Sequence, residues 1–373
     1  MSEQLKIAHL TSVHADNDIR IFYKECTSLA EHGYDVTEIT LNGNPRTENG
    51  VKIISALFKP KSRLDRILKS AKLMYKMAVD VDADIYHFHD PELLRVGLKL
   101  KRLGKIVIYD AHEDTPRQLL TKPYLNQFLR KIISFFYERH ENYIAKRLDA
   151  VVTVTPHLVN RYKLINTNTV QISNYPLIDE IETEDLSQIQ ALKENSVCYI
   201  GGVSEDRGIL QMMQGAQISN TRLAVAGKWN PGLKEKMSTQ NEWDNVNDVG
   251  FLNREELKSL KNKSIAGLVT LLPRTNYISS FPIKMFEYMS AGIPVIASNF
   301  PLWESIIKEI DCGICIDPTD PQAISDAIIF LKENKDKALE MGKKGRTAIK
   351  DKLNWNVEKE KLFQLYESLS KNQ

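Results

Sequence analysis

Short runs of β-branched and aliphatic residues alternate with segments of helical period along the whole chain. That alternation belongs to α/β proteins, in which helices cover the faces of a parallel sheet. In the first half it predicts strands over 6–10, 35–41, 51–54, 84–88, 106–110, 150–154 and 170–172. In the second half it predicts strands over 197–200, 222–226, 246–249, 266–270, 294–297 and 313–316. Ile19, Phe22, Tyr23, Cys26, Leu29 and Ala30 recur at helical intervals, and Gly33 supplies a left-handed stop.

A chain of 373 residues exceeds one ordinary core, so two domains are expected. The segment SNYPLIDEIETEDLSQ combines proline, asparagine and an acidic cluster without periodicity and reads as the linker. The expected division is 1–174, 175–354 and a terminal helix over 355–373. Val357, Lys361, Leu362, Leu365, Tyr366 and Leu369 give that helix a face that needs covering, which a return to the first domain would supply.

Composition narrows the class. Hydrophobic residues make up 42% and charged residues 26%, and no apolar run is long enough to cross a bilayer. The N-terminus turns from a short polar lead into a strand without the parts of a secretory signal, so a cytoplasmic protein is expected. Cys312 and Cys315 form a CxxC pair, but CGICIDP reads as a glycine turn entering a strand with no second ligand pair nearby. Net charge is +2, yet residues 1–170 hold 26 Lys/Arg against 20 Asp/Glu and the remainder 24 against 28. A basic first domain suits an anionic surface or acceptor. Nucleic-acid modules and interleaved stacking aromatics are absent, which argues against a nucleic-acid partner.

The stretch SSFPIKMFEYMSAGIPVIAS, residues 279–298, carries the most chemistry. Ser280 is expected to cap a helix with Pro282 in its first turn, Met285, Phe286 and Met289 on its apolar face and Gly292 past its end. Lys284 and Glu287 then share the opposite side of the first turns, close to unpaired amides that suit a diphosphate. The glutamate can accept two ribose hydroxyls. Taken alone, the pair reads equally well as a glutamate on the helix dipole beside a solvated lysine. A second block, YIGGVSEDRGILQMM, follows a strand and opens a helix, with Gly201 and Gly202 in the turn and Arg207 beyond it.

Three strand ends in the first half are polar. HLTSVHADNDIRIF, HFHDPELL and IVIYDAHEDTPRQ bring His14, Asp18, Arg20, His89, Asp90 and His112 to the carboxyl edge where open α/β sheets hold ligands. His87 and His89 share a strand face, but no third ligand stands at a diagnostic spacing, so no metal site is expected. The DxD triplets over 80–84 fall at a helix end and read as a polar turn. Between 124 and 148 a helical segment carries Leu125, Phe128, Leu129, Ile132, Ile133, Phe136 and Tyr137 on one side, and Arg130, Lys131, Arg139, Lys146 and Arg147 on the other. Packing against its own sheet is the ordinary reading, and an anionic bilayer bearing a lipid-linked acceptor is the alternative.

The block at 279–298 resembles the donor signature of the retaining GT-B enzymes of glycosyltransferase family 4, in the form found in surface-polysaccharide pathways. The resemblance extends from HLTSVH to the Trp355 region and implies two Rossmann-like domains facing a cleft. It implies a nucleoside-diphosphate sugar, UDP- or GDP-linked, held by Glu287 at the ribose and by Arg207, Lys284 and the backbone of Ser280, Phe281, Pro282 and Ile283 at the diphosphate. Two family positions differ: Ser279 stands where an acid contacts the transferred sugar, and Gly202 where the first diphosphate cation stands. The resemblance places His112 beside the donor sugar and its leaving oxygen, and Glu113, Asp114 and Arg117 follow on its loop, where they can orient an acceptor. The implied activity is metal-independent, cofactor-free hexosyl transfer to a glycan or lipid-linked acceptor. An epimerase of related architecture predicts turnover without an acceptor, and a non-catalytic nucleotide-sugar-binding protein predicts binding without release of nucleoside diphosphate.

Overall fold

The computed structural model describes residues 4–58, 61–62, 65–121, 126–178, 181 and 184–371. The acidic cluster at 179–180 and 182–183, together with Tyr124 and Leu125, lies outside them. The chain forms two compact units, Met1–Asn174 with Trp355–Gln373, and Tyr175–Asn354.

Among the described residues the first unit holds eight strands: β1 Lys6–Leu10, β2 Asp35–Thr40, β3 Arg46–Glu48, β4 Val51–Ser55, β5 Ile85–Phe88, β6 Ile106–Ala111, β7 Ala150–Thr153 and β8 Thr169–Gln171. Their order across the sheet is β3-β4-β2-β1-β5-β6-β7-β8. All neighbours are parallel except β3, which pairs antiparallel with β4. The hydrophobic pattern does not predict β3, because Arg46 and Glu48 are polar and pair with each other at the sheet edge. The second unit holds β9 Ser196–Ile200, β10 Arg222–Ala226, β11 Val246–Gly250, β12 Gly267–Val269, β13 Val295–Ser298 and β14 Gly313–Ile316. Their order is β11-β10-β9-β12-β13-β14, parallel throughout.

Both faces of each sheet are covered, which is why the strands read as continuous apolar runs. In β9, Val197 and Tyr199 join one apolar cluster while Cys198 joins another on the opposite face, as period-two alternation requires. Cys312 is buried and Cys315 half-buried, and burial pushes both thiols up to about 12.

Two helices bear on function. The stretch Ile19–Cys26 starts at Asp18, whose carboxylate accepts from the amides of Arg20 and Ile21. The helix Gln127–Ala145 packs through Ser134, Glu141, Ile144 and Ala145, while Phe128 is 72% and Phe136 65% exposed. Packing on its own sheet, the ordinary reading of its apolar side, therefore accounts for little of that stripe. Asp82 ends the helix Ala71–Val81 in a left-handed turn and pairs with Lys105.

The helix Trp355–Ser370 packs within the first unit. Trp355 donates from Nε1 to Ser28 Oγ at 2.8 Å, Glu358 accepts from the Ser173 amide at 2.7 Å, and Phe363 stacks on His32 with ring centroids 4.0 Å apart. Trp355 and Tyr366 are fully enclosed. Replacing Trp355 by alanine leaves a large void under the helix, and chemical denaturation should show a loss of about 3–5 kcal/mol; a loss under about 1 kcal/mol would mean that the helix is not anchored there.

Candidate functional site

In the second unit the chemistry gathers where β9 and β12 end. β9 runs into Gly201, at φ +123°, and a Cβ there would come within 2.6 Å of Lys284 Cε. Lys284 belongs to the helix Ile283–Ala291, reached from β12 through the short helix Thr275–Ile278. Its ammonium donates to the Tyr199 hydroxyl at 2.7 Å and lies 4.0 Å from that ring's centroid. Tyr199 in turn donates to the Gly202 carbonyl at 2.7 Å, and Arg207 Nη1 donates to the same carbonyl at 2.7 Å. A Cβ on Gly202 would sit 3.1 Å from that guanidinium nitrogen. The small residue at 202 therefore leaves the space Arg207 occupies, and the turn still presents two cations.

Those cations share a confined place. Burial and then the Arg207 charge bring the Lys284 ammonium down to about 7, with Glu287 opposing. Glu287 sits half-buried one turn into the same helix. Ser280, expected to cap this helix, instead donates its hydroxyl to the Tyr277 carbonyl at 3.1 Å, and its own carbonyl accepts from Trp303 Nε1 at 2.6 Å. Pro282 stands just before the helix in extended conformation, because proline fixes the approach angle without needing a partner for a missing N–H. Ser279 ends the preceding short helix, Phe281 packs against Phe286, and Ile283 is half-exposed.

In the first unit, the loops after β1, β5 and β6 meet. Asp90 is buried and accepts from Thr11 Oγ1 at 3.0 Å, from the Ser12 amide and from Ser12 Oγ, while His14 Nδ1 lies 3.1 Å away. Burial would raise the Asp90 carboxyl, but the His14 hydrogen bond and charge and the Ser12 amide outweigh it and hold it at about 2. His14 is raised by that same bond.

Arg20 is also buried. It donates through Nε and Nη2 to Asp110 Oδ2 at 3.1 and 2.8 Å, through Nη1 to the Ile172 carbonyl at 3.0 Å, and faces Glu25 at 3.1 Å. Expected on the acceptor side, Arg20 and Asp90 instead lie beneath the surface, 3% and 2% exposed, because each satisfies a buried partner. Asp18 spends its carboxylate on the helix start. His112 is partly exposed, with Nε2 3.2 Å from Asp110 Oδ2. Glu113 is exposed and bonds Gln118, and Arg117 pairs with Glu138.

Burial pushes the Asp110 carboxyl upward, but Arg20 and the neighbouring imidazoles hold it well below the carboxylate range. Sequence reasoning passed over Asp110, Glu25 and His9, whose signal is polar side chains set inside apolar strands and helices. Among the described residues, His9, Glu25, His87 and His89 form one group of metal-ligating types, and His89, Asp110 and His112 another, each with atoms within 4.8 Å. The spacing along the chain shows only His87 and His89. In the first group His9 Nδ1 and His89 Nε2 are bonded to each other at 2.9 Å.

Residues 20–172 match the family described as Glycosyltransferase Family 4, and residues 181–348 match that described as Glycosyl transferases group 1. The chain is 21% identical over 300 residues to a phosphatidyl-myo-inositol mannosyltransferase of Mycobacterium leprae, covering 78% of this chain and 75% of that protein. It shares the fold of sucrose-phosphate synthase from Thermosynechococcus elongatus, with a TM-score of 0.79 at 18% identity over 99% of this chain and 100% of the other. HepE of Anabaena, solved in complex with UDP, gives a TM-score of 0.74 at 13% identity over 98% and 100%. The architecture is that of the GT-B glycosyltransferases, two α/β domains with parallel sheets.

The crowding of Lys284 has a measurable sign. Burial and Arg207 disfavour the charged form, so its amine should titrate near 7 in a lysine-resolved NMR titration of the whole protein. Arg207→Gln should move the midpoint upward; a wild-type midpoint near the ordinary lysine value of about 10.4 would refute the arrangement.

Proposed function

We propose that this chain, with a family 4-like domain followed by a group 1 glycosyltransferase domain, transfers a hexose-type sugar from a nucleoside-diphosphate sugar to a glycan or lipid-linked acceptor. The transfer retains anomeric configuration, requires no metal, and serves surface-polysaccharide assembly; the resemblance of residues 279–298 to retaining family 4 enzymes supports these finer points. One observation carries the donor assignment: Arg207 and Lys284 converge on the Gly201–Gly202 turn, with Glu287 one turn along the helix of Lys284.

Burial and the neighbouring Arg207 bring Lys284 down to about 7, a pairing of cations that favours an anionic group between them. A diphosphate placed there restores the full charge of Lys284 and gains two charge-assisted contacts. As the glycosidic bond breaks, negative charge grows on the leaving phosphate, and cations fixed beforehand stabilise it without reorganisation. Glu287 takes the ribose hydroxyls, and Ser279, neutral where an acid would bind sugar hydroxyls, sets a different donor preference. His112, backed by Asp110, serves the charge that develops at the sugar. His14, Glu113 and Arg117 remain on the acceptor side, with Asp90 holding His14 in place.

A lipid-linked acceptor at the cytoplasmic face is supported by the exposed helix stripe. Phe128, Phe135 and Phe136 are 72%, 53% and 65% exposed. Arg139, Tyr143, Lys146, Arg147 and Leu164 line a depression of about 720 Å³ beside the end of the helix. Apolar side chains entering the acyl region with cations at headgroup level is the arrangement of interfacial helices.

Thermal-shift measurements with UDP-glucose, GDP-mannose and ADP-glucose test the donor site, since saturation at about 100 times Kd adds about 2.7 kcal/mol to the native state. Arg207→Ala and Glu287→Ala should each weaken the best nucleotide by about tenfold or more while leaving the unliganded Tm in place. Unchanged affinity for every nucleotide would sink the assignment, and sugar-nucleotide turnover without acceptor would favour an epimerase. For the membrane surface, the double variant Phe128→Asp/Phe136→Asp should lose at least about tenfold in binding to phosphatidylglycerol vesicles by co-sedimentation. Equal binding by wild type and variant would exclude that face.

A further inference from the structure

Four of the eight histidines, His9, His87, His89 and His112, lie together in the first unit, the first three without solvent access. His9 on β1 stands directly opposite His87 on β5 in the parallel register. Tyr366, from the helix Trp355–Ser370, reaches the same place. Buried polar groups favour partners, and here most of the ring nitrogens and one hydroxyl are joined in a sequence. His112 Nε2 is 3.2 Å from His89 Nδ1, His89 Nε2 is 2.9 Å from His9 Nδ1, and His9 Nε2 is 3.2 Å from the Tyr366 hydroxyl. That hydroxyl is 2.9 Å from His87 Nδ1. The last nitrogen, His87 Nε2, faces Asp110 Oδ2 at 4.0 Å, the same oxygen that lies 3.2 Å from His112 Nε2. Both ends of the series therefore lie against one carboxylate oxygen, His112 at 3.2 Å and His87 at 4.0 Å, the latter beyond hydrogen-bond reach and acting through charge alone.

A neutral imidazole has one N–H and one lone pair, so each ring transmits the sense of donation to the next. The surroundings keep the rings neutral. Burial holds His9 and His87 well below their ordinary value, with neighbouring histidines adding to it, and holds His89 at about 4. Glu25, with Oε2 3.8 to 3.9 Å from ring nitrogens of His9, His87 and His89, is raised far above the carboxylate range by burial; Arg20 opposes this and Asp110 adds to it. Asp110 stays ionised beside Arg20.

Two senses of donation exist. In one, His87 and His112 both turn lone pairs towards the ionised oxygen of Asp110. In the other, both turn an N–H towards it, and electrostatics selects this one. Asp110 does not settle the matter through His112 alone, because His89 Nδ1 also lies 3.5 Å from the same oxygen and a single hydrogen joins the two rings. Donation from His89 to His9, from His9 to Tyr366 and from Tyr366 to His87 leaves His89 Nδ1 bare, so His112 carries the hydrogen.

We propose that this hydrogen-bond circuit, whose two ends face the ionised Asp110, fixes His112 in the Nε2–H tautomer, with Nδ1 presented to a substrate hydroxyl as an acceptor, and that Tyr366 and His87 are positioning residues for it. The proposal rests on the reading of His112 as the group beside the transferred sugar. The charged groups facing the circuit are Glu25 and Arg20 from the first helix, Asp110 from β6, and His14 with Asp90 from the loops after β1 and β5; the His14 ring centre is 5.6 Å from that of His112.

The test combines ring-nitrogen NMR of histidine-labelled, full-length protein with release of nucleoside diphosphate to water from UDP-glucose, GDP-mannose and ADP-glucose. Wild type should show His112 as the Nε2–H form, and Tyr366→Phe and His87→Leu should each convert it to a mixture. Both variants should lower kcat about 10- to 100-fold with KM for the nucleotide sugar unchanged, and should shift the acidic limb of the pH profile. His87→Gln, whose amide accepts and donates at once, should restore both readouts. If either broken-circuit variant fails to fold, the other carries the test, with folding checked by Tm. Turnover unchanged in His112→Ala would remove the underlying reading of His112. Loss in His112→Ala with wild-type tautomer, kcat and pH profile in Tyr366→Phe and His87→Leu would overturn the circuit alone. Stoichiometric metal in the purified protein, released on replacing His9 or His89, would overturn it as well.

Discussion

In each sheet the connections reverse direction once, and the functional groups depend on that reversal. After β1 the chain moves outward to β2, then returns to place β5 on the other side of β1; β9, β10 and β12 repeat the move in the second unit. Where adjacent parallel strands send their connections opposite ways, no loop crosses the gap at their carboxyl ends, and side chains and backbone can converge there. In the first unit the gap receives the loops carrying Asp90 and His89, beside His9 on β1. In the second it receives the Gly201–Gly202 turn and the approach to the helix Ile283–Ala291. One topological constraint thus accounts for both clusters of chemistry.

The two clusters manage charge differently. In the second unit burial and then the charge of Arg207 bring the Lys284 amine down to about 7, which suits the anion proposed to bind between them. In the first unit Arg20 is matched by Asp110, while Glu25 and three histidines stay neutral around them. Removing one member of such a buried set leaves the others unsatisfied, so the arrangement is rigid as a whole. Rigidity of this kind suits the role proposed for His112, which depends on the orientation of one lone pair.

The exposed Phe128 and Phe136 beside Arg139 and Lys146 add a third kind of surface, in which apolar area left uncovered by the fold is bordered by cations. It belongs to the same unit as His14 and His112, so the face proposed to meet a bilayer and the groups proposed to receive an acceptor share one scaffold.

The apolar pattern by itself determined the α/β class and thirteen strands to within a residue or two, because strands covered on both faces must be apolar along their length. It also determined the loop-to-helix block with Lys284 and Glu287, where glycine, proline and spacing act locally. The edge strand Arg46–Glu48 escaped it, since an antiparallel ribbon at a rim needs no apolar signature. So did the lack of a Ser280 cap, which follows from competition by the Tyr277 carbonyl. Only the tertiary structure decided that Arg20 is buried against Asp110 and that Tyr366 lies beside His9 and His87. Those contacts join residues 90 and 279 or more positions apart, and a hydrogen bond over such separations is set by how strands are ordered in space, which no local pattern encodes.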